Sequence, residues 1–215
     1  AYLLREDDGF TLIDTTLGGA GGGILDAARQ AGGEIKRIVA THGHADHVGS
    51  VDAVRERLGG GTTFAISAID ASILNGEWEG GKRPAGTWKA PRTQADILLA
   101  GGERIGSLEV VPSPGHTPGH VAFLDTRDQS LVAGDVFTSL GPLAVTSHFT
   151  LPFPLATMGT WDRAQDLLSA RALLELSPSL LAVGHGRALA GPVAAMEQAI
   201  ARAQRAAGLQ PVAQA

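Results

Sequence analysis

Short apolar runs broken by glycine, proline and charged residues alternate along the chain with stretches of helical period. Tyr2-Leu3-Leu4 and Phe10 to Ile13, on either side of Asp7-Asp8-Gly9, predict a hairpin. Ile24 to Ala31 predicts a helix, entered through the glycine-rich stretch Gly18-Gly19-Ala20-Gly21-Gly22-Gly23. Arg37 to Ala40 predicts a strand, and the spacing of Val48, Val51, Val54 and Leu58 predicts a helix from about His47 to Leu58. Thr62 to Ile66 reads as a strand and Ile69 to Leu74 as a short helix. Asn75 to Thr93 has no period and reads as a long loop carrying Trp78 and Trp88. Strands follow at Ile97 to Ala100, Arg104-Ile105 and Leu108 to Val111, then at Val121 to Leu124 and Leu131 to Ala133. Thr138 to Thr157, with Pro142, Pro152 and Pro154, reads as loop. Trp161, Ala164, Leu167, Leu168 and Leu173 mark an amphipathic helix, and Leu180 to Val183 a last strand. Pro192 opens a final helix to about Ala206, before a tail to Ala215 expected to fray. Strands interleaved with helices, with no repeat and no low-complexity linker, predict a single α/β domain over 1–215.

Composition narrows the chemistry more than the fold. The 215 residues are 44% hydrophobic and 18% charged, which are globular values. A formal net charge of −5 without a dense Lys/Arg run argues against nucleic acid as the main partner. No apolar run approaches the roughly 18 residues of a membrane span. No signal peptide is visible, so the chain reads as cytoplasmic, although it opens on Ala1 already inside a strand-like segment. The chain has no cysteine, which leaves histidine and carboxylates as the ligands for any metal.

Those residues are concentrated where strands end. Thr41-His42-Gly43-His44-Ala45-Asp46-His47 follows the apolar run Ile38-Val39-Ala40. In an extended segment His42 and His44 point to one side, so they can grip one ion together. Asp46 and His47, at the turn into the helix, can face a second. Pro112-Ser113-Pro114-Gly115-His116-Thr117-Pro118-Gly119-His120 holds His116 at another strand end. Gly134-Asp135 and Gly184-His185-Gly186 close two more. Seven candidate ligands are too many for one tetrahedral site and suit two that share a member. The economical division puts His42, His44 and His116 on one ion and Asp46, His47 and His185 on the other. Asp135 would bridge, because a carboxylate has two oxygens.

Other candidates have two readings each. Asp14 either orients a metal-bound histidine or closes a turn. His120 either contacts the site or bonds to backbone, and His148 either touches substrate or is simply exposed. Trp78 and Trp88 either wall the substrate or pack their loop on the surface. The glycine-rich stretch matches neither phosphate-binding pattern, so a close backbone approach is the better reading.

In this order, His-x-His-x-Asp-His, Pro-Gly-His-Thr-Pro-Gly-His, Gly-Asp and Gly-His-Gly resemble the metallo-β-lactamase-fold hydrolases. The resemblance runs from Leu12-Ile13-Asp14-Thr15 to Gly186. It implies a four-layer αββα sandwich of two mixed sheets flanked by helices, with the metals at one sheet edge. It also implies the same seven ligands in the same division, and a further strand before the present start. Where the family often has Gly after Asp-Thr, this chain has Thr16.

The bridging Asp135 resembles glyoxalase II-type thioesterases and quorum-quenching lactonases more than typical β-lactamases. Departures accompany each likeness: a single helix follows His185, and Val136-Phe137-Thr138 stands where lactonases place a Tyr. The expectation is a dinuclear zinc hydrolase of a small-molecule ester, thioester or lactone. In it, a hydroxide bridging ions about 3.5–4 Å apart attacks the carbonyl while Asp46 orients it and moves its proton. Fe2+ or Mn2+ are the alternative metals. The rival activity is a sulfur dioxygenase with one Fe(II) on His42, His116 and Asp135. The oligomeric state is left open, a homodimer included.

Overall fold

The computed structural model describes residues 1–149, 151 and 153–208. The chain divides into two compact units, Ala1–Arg83 with Thr87–Val110, and Pro84–Gly86 with Val111–Ala215.

The first unit is a mixed sheet with helical crossovers. β1 (Tyr2–Glu6) and β2 (Gly9–Ile13) form the expected hairpin, turning at Asp7-Asp8. α1 (Gly21–Gln30) carries the chain to β3 (Ile35–Val39), which runs parallel to β2. α2 (Ala45–Val48) and α3 (Val51–Arg57) lead to β4 (Thr63–Ser67), and α4 (Ala68–Asn75) precedes β5 (Ile97–Leu99). Strand order is β1-β2-β3-β4-β5, parallel from β2 onwards. Phe10, Leu12, Ile38, Val51, Val54, Phe64 and Ile66 are buried together as its core. β6 (Arg104–Ile105) pairs antiparallel with β7 (Leu108–Pro112), and the boundary between the units falls inside β7.

The helix predicted from His47 to Leu58 is two helices. It begins at Ala45, stops at Val48 and resumes at Val51. The backbone is closely packed at the break, where a Cβ on Gly49 would lie 2.4 Å from the Ala45 carbonyl oxygen and 2.6 Å from the Gly18 nitrogen. Ser50 locks the approach, its Oγ donating to the Leu17 carbonyl and accepting from the Ala20 N–H. The close approach expected of the glycine-rich stretch is therefore made by Gly18 and Gly49.

The second unit has β8 (Val121–Asp125) and β9 (Ser130–Val132) as an antiparallel pair. Asp135 follows in the 3-10 turn Gly134–Val136. The segment predicted as loop from Thr138 to Thr157 contains structure too short for periodicity to reveal. β10 (Phe137–Ser139) pairs antiparallel with β11 (Ala144–Val145), and α5 (Pro154–Gly159) is a short helix with Pro at its start. Pro152 and the tail from 209 lie outside the described residues. α6 (Arg163–Glu175) is capped by Asp162, whose carboxylate accepts the Ala164 and Gln165 N–H groups. β12 (Leu180–Ala182) runs parallel to β9, and β13 (His185–Gly186) parallel to β10. β14 (Leu189–Ala190) and α7 (Val193–Ala206) complete the unit. Its core joins Ala122, Leu131, Phe137 and Leu181 to Leu167, Leu173, Met196 and Ile200. No helix among the described residues is long and apolar enough to cross a membrane.

Candidate metal centre

In the first unit, candidate ligands and the groups that hold them stand past the carboxyl ends of β2, β3 and β4, where open parallel sheets place ligands. Asp14 follows β2 and is buried. Its carboxylate accepts the Thr41 N–H at 2.8 Å and the Thr41 hydroxyl at 2.9 Å, and lies 2.8 Å from His47 Nδ1. A carboxylate on Nδ1 fixes the proton there and leaves the Nε2 lone pair of His47 as donor. Asp14 therefore lies against a candidate ligand, the position that the first of its two readings requires.

His42 is set the same way. Its Nδ1 is 3.1 Å from the Thr41 hydroxyl, which already donates to Asp14, so Nδ1 carries the proton and Nε2 is the donor. His42 Nε2 and His44 Nδ1 then converge at 3.1 Å, on the one side expected of an extended segment. The Asp46 side chain is 38% exposed, with Oδ2 3.9 Å from His47 Nε2.

Two supports of this loop escape a reading by spacing. Buried Asp70 accepts the Gly43 N–H at 2.8 Å, while Ser67 caps α4 by accepting the Asp70 N–H. Trp88 lies edge-on to His44, ring centroids 4.9 Å apart, and Ala45 N–H donates to the Thr87 carbonyl. The Trp88 end of the long loop is thus bonded to the His44 segment. Trp78 instead packs across Gly80.

In the second unit Asp135 is the hub. Its Oδ2 lies 3.5 Å from His116 Nε2 and 3.2 Å from His185 Nε2. Its N–H donates to His120 Nε2 at 3.1 Å, and His120 Nδ1 lies 2.9 Å from Ser113 Oγ. With Nε2 accepting, His120 is the Nδ1–H tautomer with both nitrogens engaged, so it clamps Asp135 and is a poor ligand. His116 Nδ1 is 3.1 Å from Thr160 Oγ1, a hydroxyl that donates to the Ala156 carbonyl, so His116 too presents Nε2. Gly115 is required beside it: at φ +138°, a Cβ would lie 2.2 Å from the Asp166 nitrogen.

His185 rests against Phe153, ring centroids 4.6 Å apart. His148 is half-buried, and its carbonyl accepts the Thr157 hydroxyl. Asp166, fully buried on α6, accepts the Ser147 N–H and lies 3.1 Å from Thr146 Oγ1, which reaches the Asp135 carbonyl at 2.6 Å. Burial pushes the Asp166 carboxyl well above its ordinary range. Thr146, Thr160 and Asp166 lie 11 to 44 residues from the groups they support, so spacing alone gave no sign of them.

Each unit thus presents imidazole nitrogens with fixed tautomers beside a carboxylate, a donor chemistry that fits borderline divalent metals. The family model of the metallo-β-lactamase superfamily matches residues 1–185. The chain belongs to this superfamily. It is a metal-dependent hydrolase of the metallo-β-lactamase fold, the αββα class that the motifs implied. YobT of Bacillus subtilis is 40% identical over 210 residues, covering 95% of this chain and 90% of YobT. A hydroxyacylglutathione hydrolase of Rhizobium meliloti is 28% identical over 152 residues, 65% of this chain but 52% of that enzyme. The crystal structure of TTHA1623 in a di-iron-bound form matches with TM-score 0.68 and 26% identity, covering 90% of each chain.

Proposed function

We propose that this superfamily member hydrolyses a small-molecule ester, thioester or lactone at a dinuclear centre, with zinc as the metal. His42, His44 and His116 would hold one ion, Asp46, His47 and His185 the other, and Asp135 both. The observation that carries the reading is Asp135 Oδ2, which stands 3.5 Å and 3.2 Å from imidazole nitrogens assigned to different ions. When bound, such ions supply Lewis acidity and water with a pKa lowered to about 7.

The remaining roles fall to the chain itself. Asp14, Thr41 and Thr160 hold the ligand imidazoles in the tautomers that carry the proton on Nδ1 and the lone pair on Nε2. His120 and Thr146 fix the backbone of Asp135 from both sides, through its N–H and its carbonyl. Asp46, reachable from solvent at 38% side-chain exposure, takes up a proton and returns it to the departing oxygen or sulfur. Trp88 restricts the approach beside His44.

The hydroxyacylglutathione hydrolases among the relatives support a thioester or ester substrate, and TTHA1623 sets iron beside zinc as a metal to test. The deciding experiment is metal content per chain by plasma mass spectrometry on protein purified without added metal. About two zinc ions per chain, with turnover of a thioester or lactone, is the expected result. One iron, little zinc and oxygen uptake on a persulfide would replace the hydrolase with the dioxygenase. Asp135→Ala should lose metal and turnover together, and a variant keeping two ions and full activity would remove the bridge.

A further inference from the structure

Half of the exposed large hydrophobic side chains among the described residues fall between 149 and 161. They are Phe149, Leu151, Leu155, Met158 and Trp161, from 43% to 86% exposed. Scattered apolar residues on a surface need no explanation, but a cluster of this density marks contact with something apolar. The helix at its centre is not a stray surface element. Just before α5, Phe153 lies on the His185 ring; just after it, the Thr160 hydroxyl meets His116 Nδ1. One short helix is therefore tied at its two ends to two candidate metal ligands. Ala156 and Thr157 are its buried side, and Leu155 and Met158, three residues apart, share the open side at 64% and 63% exposure.

We propose that α5 is the acyl-binding wall of the enzyme, and that its substrates carry an aliphatic acyl chain of medium length. In this proposal a chain leaving a carbonyl near His185 would lie against Phe153, and Leu155 and Met158 would extend that apolar contact. This rests on the hydrolase reading above. No charged residue lies between Phe149 and Trp161, so the wall favours apolar groups over charged ones.

The test compares p-nitrophenyl acetate, butyrate and octanoate, together with the matching N-acetylcysteamine thioesters, on the enzyme as purified. kcat/KM should rise at least about tenfold from acetate to octanoate, carried by KM, since each further methylene buried adds favourable transfer from water. Leu155→Ser with Met158→Ser, both at exposed positions, should reduce that ratio to about threefold or less with metal content unchanged. Calorimetric titration with octanoate reads the same contact without turnover, and its affinity should fall in the double variant. Hydrolysis with no chain-length preference, or a preference the double variant keeps, overturns the acyl wall and leaves the hydrolase standing. No hydrolysis of any ester or thioester removes the parent reading instead. A double variant that turns a dimer into a monomer by light scattering, with the chain-length ratio untouched, assigns the face to a second copy of this chain and also overturns it.

Discussion

Asp14 sits at φ +60°, a left-handed conformation that a non-glycine residue adopts at some expense, and three hydrogen-bonding groups hold it there. Strain of this kind is retained where the side chain has a task, here the tautomer of His47. Asp166 is the counterpart in the second unit, acting through charge instead of conformation. One Thr146 proton cannot serve both the Asp135 carbonyl and the Asp166 carboxylate, and a protonated Asp166 removes the conflict by donating to Thr146 Oγ1. That matches the upward shift from burial. An unfolded Asp titrates near 3.9, so between that pH and the raised folded value the native state holds a proton the unfolded state has lost. The contribution of Asp166 to stability is therefore complete at low pH and declines as pH rises through this window. Asp166→Asn, uncharged and of the same shape, should have a melting temperature that gains on wild type as pH rises from about 4.5 to about 7.5. An equal margin at both ends would mean the folded carboxyl titrates normally.

At the scale of elements, two glycines with opposite surroundings make a paired test. A Cβ added to Gly49 would meet three backbone atoms within 2.8 Å, those of Thr16, Gly18 and Ala45, and none can yield without moving the loop that carries His47. Gly22, inside α1, has nothing within 4 Å. Gly49→Ala should destabilise by about 1–3 kcal/mol or more, while Gly22→Ala should stabilise by about 0.4–1 kcal/mol. Urea unfolding at constant m-value checks both, and the same sign for the two would refute the packing account. The pair also shows what was legible. Val48, Val51, Val54 and Leu58 keep a helical period across the break, so the pattern gave one helix where two exist. β10, β11 and α5 are three, two and six residues long, too short to develop a period. The candidate ligands were readable as candidates because strand ends placed histidines and carboxylates at distinctive spacings. Their supports Asp70, Thr160 and Asp166 were not, because a carboxylate or hydroxyl gains its role from a partner the fold brings to it.

Across the whole molecule, the proposed ligands come from two units that each have their own hydrophobic core. His42, His44, Asp46 and His47 belong to the first, and His116, Asp135 and His185 to the second. Under the proposed function, bound metal therefore adds a tie that the native state has and the unfolded chain lacks. Ligand that binds only the native state raises stability by RT ln(1 + [L]/Kd), about 2.7 kcal/mol at a hundredfold excess over Kd. In the proposed division each ion would take ligands from both units, so that stabilisation would be lost when either unit unfolds, which would couple their transitions. Loaded protein should melt in one cooperative calorimetric transition whose midpoint rises with free metal. After chelation the midpoint should fall and the transition broaden or divide, as each unit reverts to the stability of its own core. Asp135→Ala should resemble the chelated protein even with metal added, since it removes the ligand shared by both ions. A transition that stays single, at an unchanged midpoint, with and without chelator would show that metal does not link the units, and would count against the shared centre more directly than any loss of activity.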